Sequence, residues 1–259
     1  MISSEVRGDV GGMGERPVAQ RRIGFWRRLS VVLVLSSMKA WTKRTWTGME
    51  NMPPGGGFIV TPNHMSQFDP LVVAHYLYNS GRWPRFLAKA SIWKIPVLGF
   101  LLTKTLQIPV ERGSVEAVRS LDTLIAAIQE GGVVVIYPEG TTTREPGLWP
   151  MRGKTGAARL ALATGAPVVP MATWGAQRVH DPRTNKISLK PRVPVSVTVG
   201  KPVDLSRFHG AAPTKTVLEQ MTEQIQLASR DLLGELRAET PPPLFPNARR
   251  SSGTTGPSA

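Results

Sequence analysis

Short apolar runs alternate along this chain with stretches whose apolar positions recur at a helical period. The runs are rich in valine and isoleucine and predict strands at 58–61, 85–89, 106–110, 133–137, 168–172 and 193–199. The helical period predicts helices at 70–77, 114–129, 154–164 and 214–237. Strands that alternate with helices predict one α/β domain, in which helices flank a central, largely parallel mixed sheet.

Residues 21–50 have a different pattern. A short apolar run at 31–35 has arginines and lysines on both sides, and Trp26, Trp41 and Trp46 flank it. This run is shorter than the roughly 18–20 apolar residues of a spanning helix. Apolar centre, basic flanks and edge tryptophans predict a helical segment that lies in a membrane interface. The alternative is a helix that packs on the domain and exposes a solvated basic face.

Changes of composition predict the remaining boundaries. Residues 1–20 are rich in glycine and polar side chains, which predicts disorder, and they lack the features of a signal peptide. A Pro–Gly cluster at 53–57 precedes the main folded domain, predicted at 51–240. The Pro-rich segment 241–259 is predicted to be a disordered tail.

Charge and cysteine content narrow the classes of function. The 32 lysines and arginines outnumber the 18 acidic residues, which leaves a net charge of +14 and a surface that attracts nucleic acid, anionic lipid or phosphorylated substrates. Without cysteine, disulfides and thiolate catalysis are excluded, and the four histidines lack metal-ligand spacing, so no metal site is predicted. The basic residues cluster around an apolar, tryptophan-flanked segment, and no nucleic-acid-binding signature is present. Lipid is therefore favoured over nucleic acid.

The stretch after the first predicted strand of the main domain carries a histidine and a carboxylate, His64 and Asp69. A turn that enters a helix can fold the carboxylate back onto the imidazole, which fixes the tautomer and leaves the other ring nitrogen to take a proton. Alternatively, Asp69 is only the N-cap of a helix that begins at Pro70. The pair alone leaves both interpretations open.

Three further stretches next to predicted strands carry candidate residues. Arg112 follows one strand, a Glu139-Gly140 turn with three threonines follows another, and Pro167 and Pro170 enter a third. In open α/β sheets, ligands bind beyond the carboxyl ends of strands. His64, Arg112 and the Glu139-Gly140-Thr141 turn are therefore expected to converge on one cleft.

With these four stretches in this order, residues from about 50 to 205 resemble the glycerolipid acyltransferase family, specifically its lysophosphatidate acyltransferases. Asn63-His64 and Asp69 are similar to the family's N/H-H-x-x-x-x-D motif, and Arg112 matches the arginine of its second motif. One such motif is weak, whereas four in the expected order and spacing are specific.

The other two motifs also match with small departures. Residues 138–141 are similar to the F-P-E-G-T motif, with Tyr137 for the usual Phe, and Pro167 and Pro170 lie in a segment like the V-P-V/I motif. The family often continues E-G-T-R-S, whereas here two threonines follow Thr141 and displace the arginine to Arg144.

The resemblance implies an enzyme that transfers an acyl chain from acyl-CoA, or from acyl-carrier protein, to lysophosphatidate and forms phosphatidate without a cofactor. It implies that His64 is the general base and that Asp69 orients it. Ser66 is not expected to be a nucleophile, because no G-x-S-x-G elbow presents it. The substrate-binding candidates are Asn63, Lys89, Arg112, Glu139, Gly140, Thr141, Arg144 and Pro167, with Lys104 in addition.

Several alternatives stay open on the sequence. The acceptor can be glycerol 3-phosphate or another lysophospholipid, and a basic lipid- or nucleic-acid-binding module without catalysis belongs to a different class. The apolar run at 95–102 lines an acyl channel, rests on the membrane or packs in the core. The expected location is peripheral or monotopic, on the cytoplasmic face of a membrane.

Overall fold

The computed structural model describes residues 24–110, 116–188 and 190–246. Over these residues the strands are Thr42–Thr47 (β1), Phe58–Pro62 (β2), Pro84–Lys89 (β3), Ile108–Val110 (β4), Val133–Val135 (β5), Val168–Trp174 (β6) and Val193–Val199 (β7). The α-helices are Phe25–Trp41 (α1), Asp69–Asn79 (α2), Pro96–Lys104 (α3), Glu116–Gln129 (α4), Gly156–Thr164 (α5) and Lys215–Arg237 (α6).

The seven strands form one sheet in the order β1-β7-β6-β2-β5-β3-β4. All neighbouring strands are parallel except β6 and β7, which are antiparallel. The predicted α/β fold with a largely parallel mixed sheet is therefore confirmed.

Helices cover both faces of this sheet, and that explains the continuous apolar runs of the central strands. On one face, Met38 of α1 and Val72 and Tyr76 of α2 pack against the buried side chains of the strands. On the other face, Leu160 of α5 and Leu218 of α6 belong to a second core cluster together with residues of α4. Strand β7, nearer the sheet edge, alternates buried and more exposed residues instead.

The amino-terminal segment differs from its prediction. Helix α1 ends at Trp41, and residues 42–47 form β1, which pairs in parallel with β7 at the edge of the sheet. Threonines and tryptophan favour extended structure, and the Trp46 ring packs edge-to-face on His75 and Tyr76, at 4.7 and 5.4 Å between ring centroids. The helical segment predicted over 21–50 therefore ends as a helix at Trp41, and the sheet begins at Thr42.

The carboxyl-terminal segment also differs from its prediction. Residues 241–246, assigned from the sequence to a disordered tail, pack back on the domain. The Pro242 carbonyl accepts a hydrogen bond from Arg230 of α6 (3.4 Å), and the Phe245 carbonyl accepts one from the Arg152 backbone N–H (2.8 Å). The rest of that predicted tail, 247–259, and the predicted disordered segment 1–20 lie outside the described residues.

The apolar run at 95–102 forms most of α3, a helix that leaves large apolar side chains exposed. Val97 is 75% exposed, Ile95 and Phe100 are also exposed, and only Gly99 of this helix is buried. Trp26 of α1 meets Phe100 edge-to-face at 4.8 Å between ring centroids, so α1 and α3 share one apolar surface. Within the described ranges, no helix is long and apolar enough to cross a membrane.

Two connections of the sheet diverge between β2 and β5. After β2 the chain forms α2 on one face and continues to β3, whereas after β5 it forms α5 on the other face and continues to β6. Such a topological switch leaves a crevice at the carboxyl ends of the two strands, where α/β proteins bind ligands. His64 follows β2 and Glu139 follows β5, so both lie at this crevice.

Candidate active site

His64 and Asp69 are joined by a hydrogen bond of 2.9 Å between Nδ1 and Oδ2. The same carboxylate oxygen accepts the backbone N–H groups of Met65 and Ser66, each at 2.7 Å. Asp69 is the first residue of α2 and fully buried, and no side chain caps that helix. The helix-cap interpretation of Asp69 is therefore wrong, because its carboxylate turns back onto the preceding turn instead.

This contact determines which imidazole nitrogen is available for chemistry. With Nδ1–H directed at the Asp69 carboxylate, Nε2 carries the lone pair that accepts a proton. The His64 side chain is 13% exposed and forms part of the wall of a cavity. The arrangement provides an oriented general base at an accessible position.

The Glu139 carboxyl is hydrogen-bonded to the backbone of His64. Its Oε1 accepts the His64 N–H at 3.2 Å and its Oε2 accepts the Met151 N–H at 3.0 Å. Burial raises the pKa of Glu139 to about 8, against the lowering effect of these two N–H groups, and the Asp69 charge adds to the rise. The carboxyl is therefore mostly neutral at pH 7, which explains how it sits in a site expected to bind an anion.

Thr143 supplies a second contact to the same backbone, and the sequence did not reveal it. Its N–H donates to the His64 carbonyl at 2.7 Å, and its hydroxyl donates to the Trp149 carbonyl at 2.6 Å. Thr143 is buried, in contrast to its neighbours Thr141 and Thr142. The extra threonines of this turn thus connect His64 to the loop that follows it.

Two polar residues next to His64 have structural contacts. The Asn63 side-chain amide is buried and bonds the backbone of Thr173 in β6 twice, at 3.2 and 2.8 Å. The Ser66 hydroxyl donates to the His180 carbonyl at 2.8 Å and accepts the Phe68 N–H at 3.1 Å. Asn63 is therefore engaged in fixing β2 to β6, and Ser66 is not presented as a nucleophile.

The cavity beside His64 has a volume of about 820 Å³. Its walls are mostly apolar side chains of α1, α2, α3 and β3, among them Val31, Val34, Leu71, Phe86 and Leu102. The polar lining residues include a group that follows the carboxyl ends of β2, β3 and β5, at the same edge of the sheet as the dyad: His64, Gln67, Lys89, Thr141, Thr142 and Lys154. One apolar compartment with a polar, cationic end suits an amphipathic ligand that carries a negative charge.

Three of the predicted substrate-binding residues lie on this cavity: Lys89, Gly140 and Thr141. Gly140 has a φ of +67°, and a Cβ there would come within 3.3 Å of the Lys154 ammonium, so glycine serves both the turn and the close approach. Lys154 was missed from the sequence. The available signal was its position as the first residue of the predicted helix 154–164, which follows the Glu-Gly turn.

The other predicted residues are not brought to the cavity, or lie outside the description. Arg144 is exposed and does not line it, because the inserted threonines carry the chain away. Pro167 is exposed at the amino end of β6, the opposite end of the sheet from His64. Lys104 packs over the Phe100 ring at 5.5 Å. Arg112 lies outside the described residues, and its phosphate contact stays a prediction.

Among the described residues, no group of three or more His, Cys, Asp or Glu side chains is placed to hold a metal ion. The cavity residues also offer no set of soft ligands, since the sequence has no cysteine.

Comparison with known proteins gives the same assignment as the motifs. The family model described as Acyltransferase matches residues 43–174, about half of the chain. The chain belongs to the acyltransferase family. The match begins at β1 and ends at the last residue of β6, so it includes His64, Asp69 and the Glu139 turn.

Curated relatives of this acyltransferase family member are similar over somewhat more than half of the chain. It is 30% identical over 153 residues to the 1-acyl-sn-glycerol-3-phosphate acyltransferase of Borreliella burgdorferi, over 57% of this chain and 59% of the relative. It is 28% identical over 158 residues to the chloroplastic 1-acyl-sn-glycerol-3-phosphate acyltransferase BAT2 of Brassica napus, over 60% of this chain and 44% of the relative. The chain thus spans about half the length of these relatives.

A solved structure has the same fold. PlsC of Thermotoga maritima, a 1-acyl-sn-glycerophosphate (LPA) acyltransferase, superposes with a TM-score of 0.56 at 23% sequence identity. The superposition covers 77% of this chain and 74% of that one.

Proposed function

We propose that this protein transfers an acyl chain from an acyl thioester, acyl-CoA or acyl-carrier protein, to the free hydroxyl of 1-acyl-sn-glycerol 3-phosphate and forms phosphatidate. The observation that carries the proposal is the His64–Asp69 dyad at the polar end of a largely apolar cavity. An acyl chain requires apolar walls, a headgroup phosphate requires cations, and acyl transfer to a hydroxyl requires a base between the two.

In the proposed reaction, the acceptor oxygen attacks the thioester carbonyl carbon while His64 Nε2 takes the hydroxyl proton. Asp69 keeps Nδ1–H oriented and stabilises the imidazolium, the role that an aspartate has in Ser-His-Asp triads. The tetrahedral oxyanion then collapses, the carbon–sulfur bond breaks, and the imidazolium protonates the leaving thiolate. The products are an ester and a free thiol, so no nucleophile of the protein is needed.

The acceptor phosphate is assigned to the cationic end of the cavity. Lys89 and Lys154 supply positive charge there, and the Thr141 hydroxyl is a hydrogen-bond donor. Gly156, the first residue of α5, also lines this end, so the positive end of that helix dipole adds to the attraction for a phosphate.

The apolar surface shared by α1 and α3 supports the proposal that the protein associates with a membrane. Exposed Phe25, Trp26, Val97 and Phe100 lie on helices that also form walls of the cavity, so the same two helices contribute to the proposed membrane-facing surface and to the proposed binding site. The basic flanks of α1 favour an anionic leaflet, and we place the protein on the cytoplasmic face for that reason.

The test uses the missing cysteines. A chain without cysteine adds no thiol of its own, so a thiol-reactive dye reports CoA release with low background. We expect release only when acyl-CoA and lysophosphatidate are both present, and release slowed by about 10²–10⁴ with His64→Ala. Equal release without acceptor would instead mean hydrolysis by water, and the transferase proposal would fail.

A panel of acceptors and donors then identifies the substrates. Labelled acyl-CoA is offered with lysophosphatidate, glycerol 3-phosphate and other lysophospholipids, and the products are separated by chromatography. Transfer to glycerol 3-phosphate in preference to lysophosphatidate would keep the chemistry and change the acceptor. Transfer from acyl-carrier protein alone would change the donor, and no transfer from either would leave a binding module without catalysis.

A further inference from the structure

The ring of Tyr137 stacks on the His64 imidazole, with 4.2 Å between ring centroids and 30° between the ring planes. Tyr137 occupies the place in the P-E-G-T stretch where the resembling motif has phenylalanine. The stack requires only the ring, so phenylalanine would also provide it. The hydroxyl is what this chain adds, and the transfer mechanism above does not use it.

Two buried polar atoms next to this imidazole have no hydrogen-bond partner within the part of the chain that the structure describes. One is the Tyr137 hydroxyl, and the other is Oδ1 of Asp69. Oδ2 of the same carboxylate accepts three donors, from His64, Met65 and Ser66. Asp69 Oδ1 is thus an unused acceptor and the Tyr137 hydroxyl an unused donor, both beside the same imidazole. Native proteins rarely leave such buried groups unpaired.

The character of the phenol decides which role it can have. Burial, and secondly the negative charge of Asp69, raise the pKa of Tyr137 well above its ordinary value. The hydroxyl therefore stays protonated at any working pH and can act as a donor but not as a base. Both groups contact the same imidazole, Tyr137 through its ring and Asp69 through Oδ2.

We propose that Tyr137 is a positioning residue for His64, whose hydroxyl donates a hydrogen bond to Asp69 Oδ1, directly or through one bound water. Such a bond satisfies both unpaired atoms and gives Asp69 a fourth donor. It fixes the carboxylate against rotation, and it draws electron density towards Oδ1 and away from the imidazole. This proposal rests on the proposed function only for its kinetic readout.

The shift of electron density away from the imidazole predicts the direction in which protonation of His64 changes. A carboxylate that shares its charge with another donor stabilises the protonated imidazole less, so His64 releases its proton to the leaving thiolate more readily. In Tyr137→Phe the ring stack remains but that donor is lost. Asp69 then holds the imidazolium more strongly, and protonation of His64 moves to higher pH.

The remaining charged and titratable groups around the dyad are unchanged by this substitution. His75 on the same helix has its pKa lowered to about 4 by burial and by Arg44 and Lys39, so it is neutral in the relevant pH range. The groups to be considered at the site are Asp69 on α2, Glu139 after β5, Lys89 at the end of β3 and Lys154 before α5.

The experiment compares wild type, Tyr137→Phe and a matched control, Tyr78→Phe. Tyr78 also lines the cavity, on α2, and no ring contact joins it to His64. The first readout is an NMR titration of the His64 ring, assigned with His64→Ala, and it requires no substrate. We expect the midpoint in Tyr137→Phe to rise on the order of half a pH unit. A full unit corresponds to about the net free energy of one hydrogen bond, and the lost bond acts on His64 only through Asp69.

The second readout is the pH dependence of acyl transfer. The acidic limb of kcat/KM should move to higher pH by the same amount in Tyr137→Phe, with kcat reduced severalfold and KM unchanged. Tyr78→Phe serves as the control for the titration only, where it should match wild type. An unchanged His64 titration in Tyr137→Phe, or an equal shift in Tyr78→Phe, overturns the proposal, and so does a loss of thermal stability alone. If no variant transfers acyl groups, the proposed function fails while the titration still decides this one.

Discussion

At the scale of single residues, His64 is fixed through its ring and through its backbone by different partners. Asp69 takes the Nδ1–H of the ring, while Glu139 and Thr143 take the N–H and carbonyl of the backbone. Each of these partners is buried. A base held in this way loses little entropy when a substrate hydroxyl approaches, which is one source of catalytic rate.

Removal of the base gives the most direct test at this scale. His64→Ala should lower kcat by about 10²–10⁴, the usual contribution of a positioned general base. The fold should persist, because the backbone contacts of residue 64 do not involve the imidazole. Turnover near that of wild type, in a protein whose circular dichroism and melting temperature are unchanged, would exclude this histidine as the base.

Glu139→Gln tests whether the Glu139 carboxyl is neutral in the folded protein. A pKa raised from 4.5 to about 8 in the folded protein means that the group stabilises the fold fully below pH 4.5, and that this contribution is lost as the pH rises towards 8. Glutamine does not ionise, so the free energy of unfolding of the variant should lack this decline of about 1.4 kcal/mol per pH unit. Urea titrations of both proteins at pH 5, 6.5 and 8 measure the difference.

The same substitution also changes the hydrogen bonds around the His64 backbone. One of the two N–H groups that Glu139 accepts, from His64 or Met151, would face the glutamine NH₂ and lose its acceptor. A lost acceptor for a buried N–H costs about 1–3 kcal/mol. A variant that keeps the wild-type pH dependence of stability would show that Glu139 is ionised throughout this range.

At the scale of elements, the end of α6 packs against the loop at 143–151, which is hydrogen-bonded to the His64 backbone and to Glu139. The Arg237 guanidinium lies between the rings of Trp149 and Trp174, at 4.0 and 4.3 Å from their centroids, and donates to the Gly147 carbonyl at 2.8 Å. The same loop continues to Met151, whose N–H is bonded to Glu139. An element outside the matched family region thus supports the candidate active site.

Arg237→Ala should therefore reduce kcat more than it raises KM, since the residue does not line the cavity. Removal of a cation between two tryptophans costs on the order of 1–2 kcal/mol of stability, so the melting temperature should fall as well. Arg230→Ala is the control, because Arg230 is on the same helix and pairs with its neighbour Asp231. Equal losses of kcat in both variants would indicate general destabilisation of α6.

At the scale of the whole molecule, we expect an apolar surface and a positive net charge to contribute together to the proposed membrane binding. The apolar surface comprises Phe25, Trp26, Ile95, Val97 and Phe100. The net charge of +14 attracts anionic lipid from a distance and is screened by salt, whereas burial of apolar side chains is not. The two contributions can therefore be separated by experiment.

The variant Val97→Asp/Phe100→Asp should pellet less with anionic liposomes than wild type at every salt concentration. Ile187→Asp is the matched control, since Ile187 is 61% exposed but lies on the loop between β6 and β7, away from α3. Added salt should weaken binding of all three proteins. Retention of full binding by the double variant would place the membrane-binding surface elsewhere. Truncation before β1 is a poorer test, because α1 forms part of the cavity wall.

The sequence by itself determined the fold class and pointed to the candidate pair His64 and Asp69. Valine-rich runs fix the central strands, since only strands covered on both faces are apolar without interruption, and the helical period of the remaining stretches does the same for the helices. The spacing of His64 and Asp69 and the Glu139-Gly140 turn carried the family resemblance, because the chemistry constrains local residue types. These features depend on neighbours within a few positions along the chain.

Only the tertiary structure decided which side chains meet. Lys154 and Thr143 reach the site, whereas Arg144 and Pro167 do not, because strand ends and loop lengths place residues that are distant in sequence. Residues 42–47 became a strand since β7 offers a parallel edge and Trp46 packs beside His75, and neither partner is a sequence neighbour. The raised pKa of Glu139 likewise arises from burial, which the packing of the complete fold creates.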